Sequence, residues 1–94
     1  MMRLDARAVA ASAVRVVKEH IVQTQPQAAF LPDIPVVVLS YTEIHGAYSV
    51  LMETTTPIAA LFRVDLTSVD GFQHFEVTEF RKQDTVVITR HTLS

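Results

Sequence analysis

The chain of 94 residues contains no cysteine. It therefore forms no disulfide, has no thiolate nucleophile and offers no cysteine ligand to zinc. Long apolar runs are missing as well, since no stretch reaches the roughly 18 residues that a membrane span requires. Charged side chains also interrupt residues 1–22, where a signal peptide would need an apolar segment. We expect no membrane association, with the cytoplasm as the default compartment.

Neither sign of charge dominates the composition. Lysine and arginine total 8 residues, aspartate and glutamate total 10, and the formal net charge is −2. Proteins that bind nucleic acids concentrate positive charge on one face or along one helix. No basic cluster occurs in this sequence, so we expect no nucleic-acid partner.

Catalytic and cofactor motifs are also absent. The sequence contains no HExxH, GxSxG, Walker or GxGxxG pattern. We therefore predict a non-catalytic protein that has no catalytic residue, no resident metal and no cofactor.

Apolar residues are the abundant class, at 49% of the chain. The length predicts one domain over residues 1–94. A domain of this size buries roughly 60–65% of its unfolded surface. The mean hydropathy of +0.26 is high for so small a domain, so some apolar side chains must lie outside the core.

Residues 5–22 have the pattern of an amphipathic helix. Asp5 is a suitable N-cap, and Leu4 and Val9 have the spacing of a hydrophobic staple. His20 lies at the edge of the apolar stripe, where its charge would interact with the helix macrodipole. The predicted stripe consists of Ala6, Ala10, Ala13, Val14, Val17 and Ile21.

The rest of the chain predicts a connector and a sheet. Residues 23–35 contain three prolines and form the connector, which either covers a sheet face or exchanges between subunits. From position 36 the apolar period is two, which predicts a sheet over 36–91. Thr56-Pro57 also permits a helix at 57–64, but clean alternation favours a strand. The predicted strands are 36–43, 47–54, 58–66, 72–81 and 85–91.

Short links between these strands favour an antiparallel meander. A two-residue His45-Gly46 turn, a four-residue turn at 68–71 and a two- or four-residue turn near 82–83 all bring apolar residues to one face. The predicted pairs are Tyr41–Val50, Leu39–Met52, Val50–Phe62, Phe62–Val77 and Val64–Phe75. The predicted inner face is Val37, Leu39, Tyr41, Tyr48, Val50, Met52, Ala60, Phe62, Val64, Leu66, Phe75, Val77, Val86 and Ile88.

The predicted fold is α+β, with an N-terminal helix packed on a five-stranded antiparallel meander. This plan resembles the general architecture of cystatin-like folds. The Gln-x-Val-x-Gly segment of the cystatin inhibitors is absent from the sequence. The resemblance therefore implies an architecture and no activity.

The polar residues of the predicted outer face admit two interpretations. The expected registers place Arg63 beside Glu76 and Asp65 beside His74, as opposite-charge pairs that stabilise a sheet. Alternatively, a small molecule, a metal or the substrate of a small enzyme binds a cluster of Asp65, His74, Glu76 and His91. We favour the first interpretation, because an outer sheet face is flat and wet.

Apolar residues on the same face predict an interface. Contiguous apolar patches are rare on monomers and usually mark binding surfaces. Strand 85–91 is also an edge with little charge to block pairing. We therefore predict a protein-interaction module, such as an inhibitor, an immunity-type protein or an adaptor, that forms a homodimer or binds another protein. The predicted interface residues are Val38, Leu51, Ala59, Leu61, Phe80 and Val87, rimmed by Arg63 and Glu76.

Overall fold

A computed structural model of the chain describes residues 5–30, 34–55, 59–81 and 84–93. The five strands form one sheet in the order β1-β2-β3-β4-β5, with every neighbouring pair antiparallel. The predicted α+β meander is therefore confirmed. The elements are helix α1 (Ala6–Thr24), a short 3-10 helix (Pro26–Phe30), and strands β1 (Val36–Ile44), β2 (Ala47–Thr54), β3 (Ala60–Val69), β4 (Phe72–Phe80) and β5 (Val86–Leu93).

Helix α1 begins as predicted. The Asp5 side chain accepts a hydrogen bond of 2.9 Å from the backbone N–H of Arg7, whereas Leu4 of the expected staple lies outside the described residues. The helix continues two residues beyond the predicted end, to Thr24. Its buried residues are Val9, Ala13, Val16, Val17, His20 and Ile21. Ala6 is exposed and Ala10 only partly buried, so the predicted stripe was too wide at its N-terminal end.

Two tight turns set the register of the central strands. His45 and Gly46 have φ of 50° and 79°, and Asp70 and Gly71 have φ of 54° and 80°. Positive φ at both central residues is the two-residue hairpin turn whose twist matches that of the flanking strands. The first turn was predicted correctly. The second has two residues and not the four predicted at 68–71.

The shorter second turn moves the pairing of β3 and β4 by two residues. Val64 pairs with Val77 and Leu66 with Phe75, in place of the predicted Phe62–Val77 and Val64–Phe75 pairs. The pairing of β2 with β3 differs by the same amount, since Val50 lies opposite Val64. Because side chains alternate with a period of two, an even shift keeps every residue on its predicted face.

Strand β1 departs from prediction at a bulge. Tyr41 pairs with Val50 as expected, but the register shifts between Val38 and Ser40, and Val38 takes the place of Leu39 opposite Met52. A bulge adds one residue to a strand and reverses the facing of the residues beyond it. Val37 therefore faces outward beside Glu53, which corrects its predicted inner position. Leu39 is the unpaired residue of the bulge and is exposed, not buried in the core.

Strand β5 departs for a related reason. Phe80 pairs with Val86, so residues 81–85 form the connection, closed by a 2.8 Å bond from the Arg81 N–H to the Thr85 carbonyl. An odd connection of five residues reverses the facing that a two- or four-residue turn would give. Val86 and Ile88 accordingly lie on the outer face and are exposed. Their predicted inner position was wrong.

The core lies between α1 and the inner face of the sheet. Two connector residues, Ala28 and Ile34, belong to it, so this part of the connector packs on the inner side. Within the described residues, no helix is long and apolar enough to cross a membrane. The sheet contributes Tyr48, Val50, Met52, Phe62, Val64, Leu66, Phe75 and Val77 to the core, with Tyr41 and Ala60 at its margin.

Candidate functional site

His20 is a fully buried ionisable residue between helix and sheet. Its Nε2 lies 2.7 Å from Glu79 Oε1, and its Nδ1 lies 2.7 Å from Thr89 Oγ1. The ring also meets the edge of Phe62, with centroids 5.6 Å apart. These contacts hold the imidazole on three sides and fix its orientation.

Glu79 reaches the core because β4 pairs it with Phe62 on the inner face. Only 2% of the residue is exposed. Arg81 donates from Nε to Glu79 Oε2 at 2.6 Å, which gives the carboxylate a second partner beside His20. Burial raises the pKa of Glu79, but hydrogen bonds and charge from Arg81 and His20 outweigh it and hold that pKa below 4.5. The carboxylate is therefore ionised at neutral pH.

Thr89 and His91 extend the contacts along the inner face of β5. Thr89 Oγ1 lies 2.8 Å from His91 Nε2, and His91 Nδ1 lies 3.5 Å from Glu19 Oε2 on α1. Burial lowers the pKa of His91 below 6.5, the nearby charge of Glu19 opposes that change, and His20 adds to it. His91 is therefore neutral at pH 7.

Six side chains thus make one continuous series of contacts beneath the helix, which we call the buried polar network. Its ends approach solvent, since the side chains of Arg81 and Glu19 are 38% and 44% exposed. Its middle is dry. In order, the network is Arg81, Glu79, His20, Thr89, His91 and Glu19.

Sequence reasoning missed most of this network. His20 was assigned to the helix macrodipole, although its spacing from Val16 and Val17 places it within the apolar stripe. Glu79 continues the alternation of Phe75 and Val77 onto the inner face, a signal that parity alone supplies. Both signals were present in the sequence, and each places an ionisable residue at a core position.

The predicted ligand cluster on the outer face is incomplete. Asp65, His74 and Glu76 do share that face, whereas His91 pairs with Phe75 and faces inward by register, although it lines an open recess together with the other three residues. The odd connection before β5 is the cause of this inward facing. Among the described residues, no three His, Asp or Glu side chains form a group suited to a metal ion.

The charged pairs of the outer face also differ from those predicted. Asp65 lies opposite Glu76, and not beside His74. Arg63 bonds to Asp65 along its own strand at 3.0 Å, and Arg90 approaches Glu76 at 3.4 Å from β5. The two arginines therefore neutralise two carboxylates that face each other. The open recess of about 370 Å³ lies beside these pairs, and it is lined by Asp65, Thr67, His74, Phe75, Glu76, Arg90, His91 and Thr92.

The other half of the outer face is richer in apolar side chains, although Glu53 lies between Val37 and Leu61 on this half. We call these apolar side chains the outer patch, and six of the seven are between 37% and 49% exposed. Leu51 is partly buried. The residues of the outer patch are Val37, Leu51, Leu61, Phe80, Val86 and Ile88, together with Leu39 at the bulge of β1.

The structure separates the predicted interface residues into two groups. Leu51, Leu61 and Phe80 lie in the outer patch, and Ala59 is exposed just before β3. Val38 and Val87 were placed on the wrong face, because the bulge and the odd connection turn them inward. Their places in the patch are taken by Val37, Leu39, Val86 and Ile88. Of the predicted rim, Arg63 pairs with Leu51 on one side and with Thr78 on the other. Glu76 occupies the next outward-facing position of β4, two residues before Thr78.

Comparisons with family models, with curated proteins and with solved structures find no match for this chain.

Proposed function

We propose that the protein is a non-catalytic interaction module that forms a homodimer through the outer face of its sheet. The observation that carries this proposal is the outer patch, which has a member on each of the five strands and is interrupted by the exposed Glu53 and Arg63. Patches of this kind usually mark binding surfaces. The described part of the connector leaves the patch open, because Ala28 and Ile34 pack into the core on the opposite side.

The dimensions of the face fit a second copy of the chain. Five strands at a spacing of about 4.8 Å are roughly 24 Å wide, and four outward-facing positions per strand span roughly 27 Å. The face therefore offers about 650 Å² per subunit, close to the roughly 800 Å² per partner of a standard interface. The apolar half alone, at about 330 Å², is too small, so the charged half must take part.

The charges on the face also favour a second copy. Arg63, Asp65, Glu76 and Arg90 form two opposite-charge pairs on this face and sum to zero, and Glu53 adds one further carboxylate among the patch residues. A two-fold axis places the same set on both sides of an interface. A face of one sign would repel its copy, whereas a balanced set allows each arginine to meet a carboxylate of the partner.

The variant Leu61→Glu tests this proposal, with Ala11→Glu as the matched control. Leu61 lies in the outer patch, and Ala11 is exposed on α1 at the opposite side of the molecule. Light scattering over a dilution series should give the wild type and the control twice the 10.5 kDa mass of one chain. Leu61→Glu should give a monomer with unchanged circular dichroism. A monomeric wild type, or a Leu61→Glu dimer, would show that the patch serves another purpose.

A further inference from the structure

The buried polar network constrains where its protons lie. Ionised Glu79 can only accept hydrogen bonds, so His20 Nε2 must donate to it across the 2.7 Å contact. This leaves His20 Nδ1 and His91 Nε2 facing the single hydroxyl proton of Thr89, at 2.7 Å and 2.8 Å. One hydroxyl can donate to only one of the two rings, and it must accept from the other.

Two proton orders satisfy the three contacts of 2.7–2.8 Å that join Glu79, His20, Thr89 and His91, and only the second also gives His91 Nδ1 a proton to donate to Glu19. In the first, His91 Nε2–H donates to Thr89, the Thr89 hydroxyl donates to His20 Nδ1, and both rings are neutral. In the second, His20 Nδ1–H donates to Thr89, the hydroxyl donates to His91 Nε2, and His91 Nδ1–H donates to Glu19. The second order holds one more proton than the first, and its positive charge lies on His20.

We propose that Thr89 is the central member of a proton relay, which takes a proton at His91 and delivers its charge to His20. The proton binds His91 Nδ1 beside the half-exposed Glu19. The proton on His91 Nε2 then passes to the Thr89 oxygen, and the original hydroxyl proton passes to His20 Nδ1. One proton enters, His91 ends neutral as the other tautomer, and the imidazolium forms against the Glu79 carboxylate.

The groups around the relay support this direction of transfer. On β4 and just after it, Glu79 and Arg81 face His20. Helix α1 contributes Glu19 beside His91, and Arg15 lies 3.6 Å from the other oxygen of Glu19. Both rings are buried, but His20 lies 2.7 Å from the buried Glu79 carboxylate, whereas His91 lies 3.5 Å from the half-exposed Glu19. The relay therefore places the imidazolium charge against Glu79 and not on His91. It is a pH-sensitive contact within the fold, distinct from the outer face that forms the proposed dimer.

Histidine side-chain nitrogen NMR over a pH titration tests the relay in the intact protein. In the wild type, acidification should protonate both nitrogens of His20 and change His91 from its Nε2–H to its Nδ1–H tautomer at the same midpoint. If acidification instead makes His91 the imidazolium while His20 stays neutral, the wild-type titration by itself overturns the proposal.

Variants at Thr89 give the second test. Thr89→Val has nearly the same shape without a hydroxyl, and it should separate the two midpoints by about one pH unit, the scale at which coupled sites titrate as a pair. Thr89→Ser should restore the shared midpoint. Thr92→Val is the control, because its hydroxyl contacts His74 on the outer face at 3.3 Å. Identical curves for the wild type and Thr89→Val would refute the relay.

Discussion

Removing the two central members of the buried polar network, singly and together, is the sharpest test of its energetic role. His20→Leu leaves the Glu79 carboxylate with Arg81 alone, and Glu79→Leu leaves the buried His20 Nε2–H without its acceptor. Each single variant should lose roughly 2–4 kcal/mol, between the cost of an unsatisfied buried group and that of a broken buried ion pair. A domain of this size has roughly 5–14 kcal/mol of total stability, so both variants remain measurable.

The double variant should lose less than the sum of the single losses. With both polar partners gone, two leucines fill the space between Phe62 and α1, and no charge is left uncompensated at that contact. The expected coupling energy is about 1–3 kcal/mol, measured by urea unfolding at neutral pH followed by circular dichroism. Losses that add to within about 0.5 kcal/mol would show that the two side chains act independently, and the proposed network would be wrong at its centre.

Two further predictions concern acid and the turns. The folded pKa of His91 lies below 6.5 and that of Glu79 below 4.5, so the unfolded state binds more protons. Stability should therefore fall as the pH drops through 6.5, and again through 4.5. Urea unfolding across a buffer series measures both steps, and His91→Gln should lose the first while His45→Gln keeps it. Gly71→Ala should cost about 1 kcal/mol, because the φ of +80° disfavours a side chain although no atom lies within 4 Å of the added carbon. Gly71→Asn should cost less, since asparagine tolerates that conformation, and equal unfolding midpoints for the two variants would contradict this account.

The fold was predictable because its signals are local. Period-two alternation across 60–66 and 72–79, together with Asp70-Gly71 and His45-Gly46, defines strands and turns without reference to the rest of the chain. The pairing errors at the centre of the sheet were even, so they left each side chain on its predicted face. Alternation shows which face of the sheet a side chain occupies, but it leaves the cross-strand partner of that residue uncertain by two positions.

The two facing errors have a common physical origin. Residues 36–39 read Val-Val-Val-Leu, and 86–88 read Val-Val-Ile, so neither segment contains the polar residues that would mark an outward position. A uniformly apolar strand carries no register information of its own. The bulge at Leu39 and the length of the 81–85 connection decide the facing, and both depend on contacts made elsewhere in the sheet.

The candidate site was harder to predict, because its residues break the rule that locates the core. Glu79 and His20 occupy core positions by spacing, yet their chemistry argues for the surface. Such conflicts between pattern and chemistry are expected at functional or strained sites. A charged residue in phase with an apolar stripe is therefore a stronger pointer to a site than a cluster of charges on a wet face.

The odd connection before β5 accounts for both features of the molecule that we assign to function. It turns Thr89 and His91 inward to complete the buried polar network, and it turns Val86 and Ile88 outward into the patch. A slip of one residue would reverse all four. Apolar contacts alone would favour that slip, because it buries the valine and the isoleucine. The hydrogen bonds that the inward-facing Thr89 makes with His20 and His91 oppose it, so the buried polar network fixes the register that leaves the outer patch exposed.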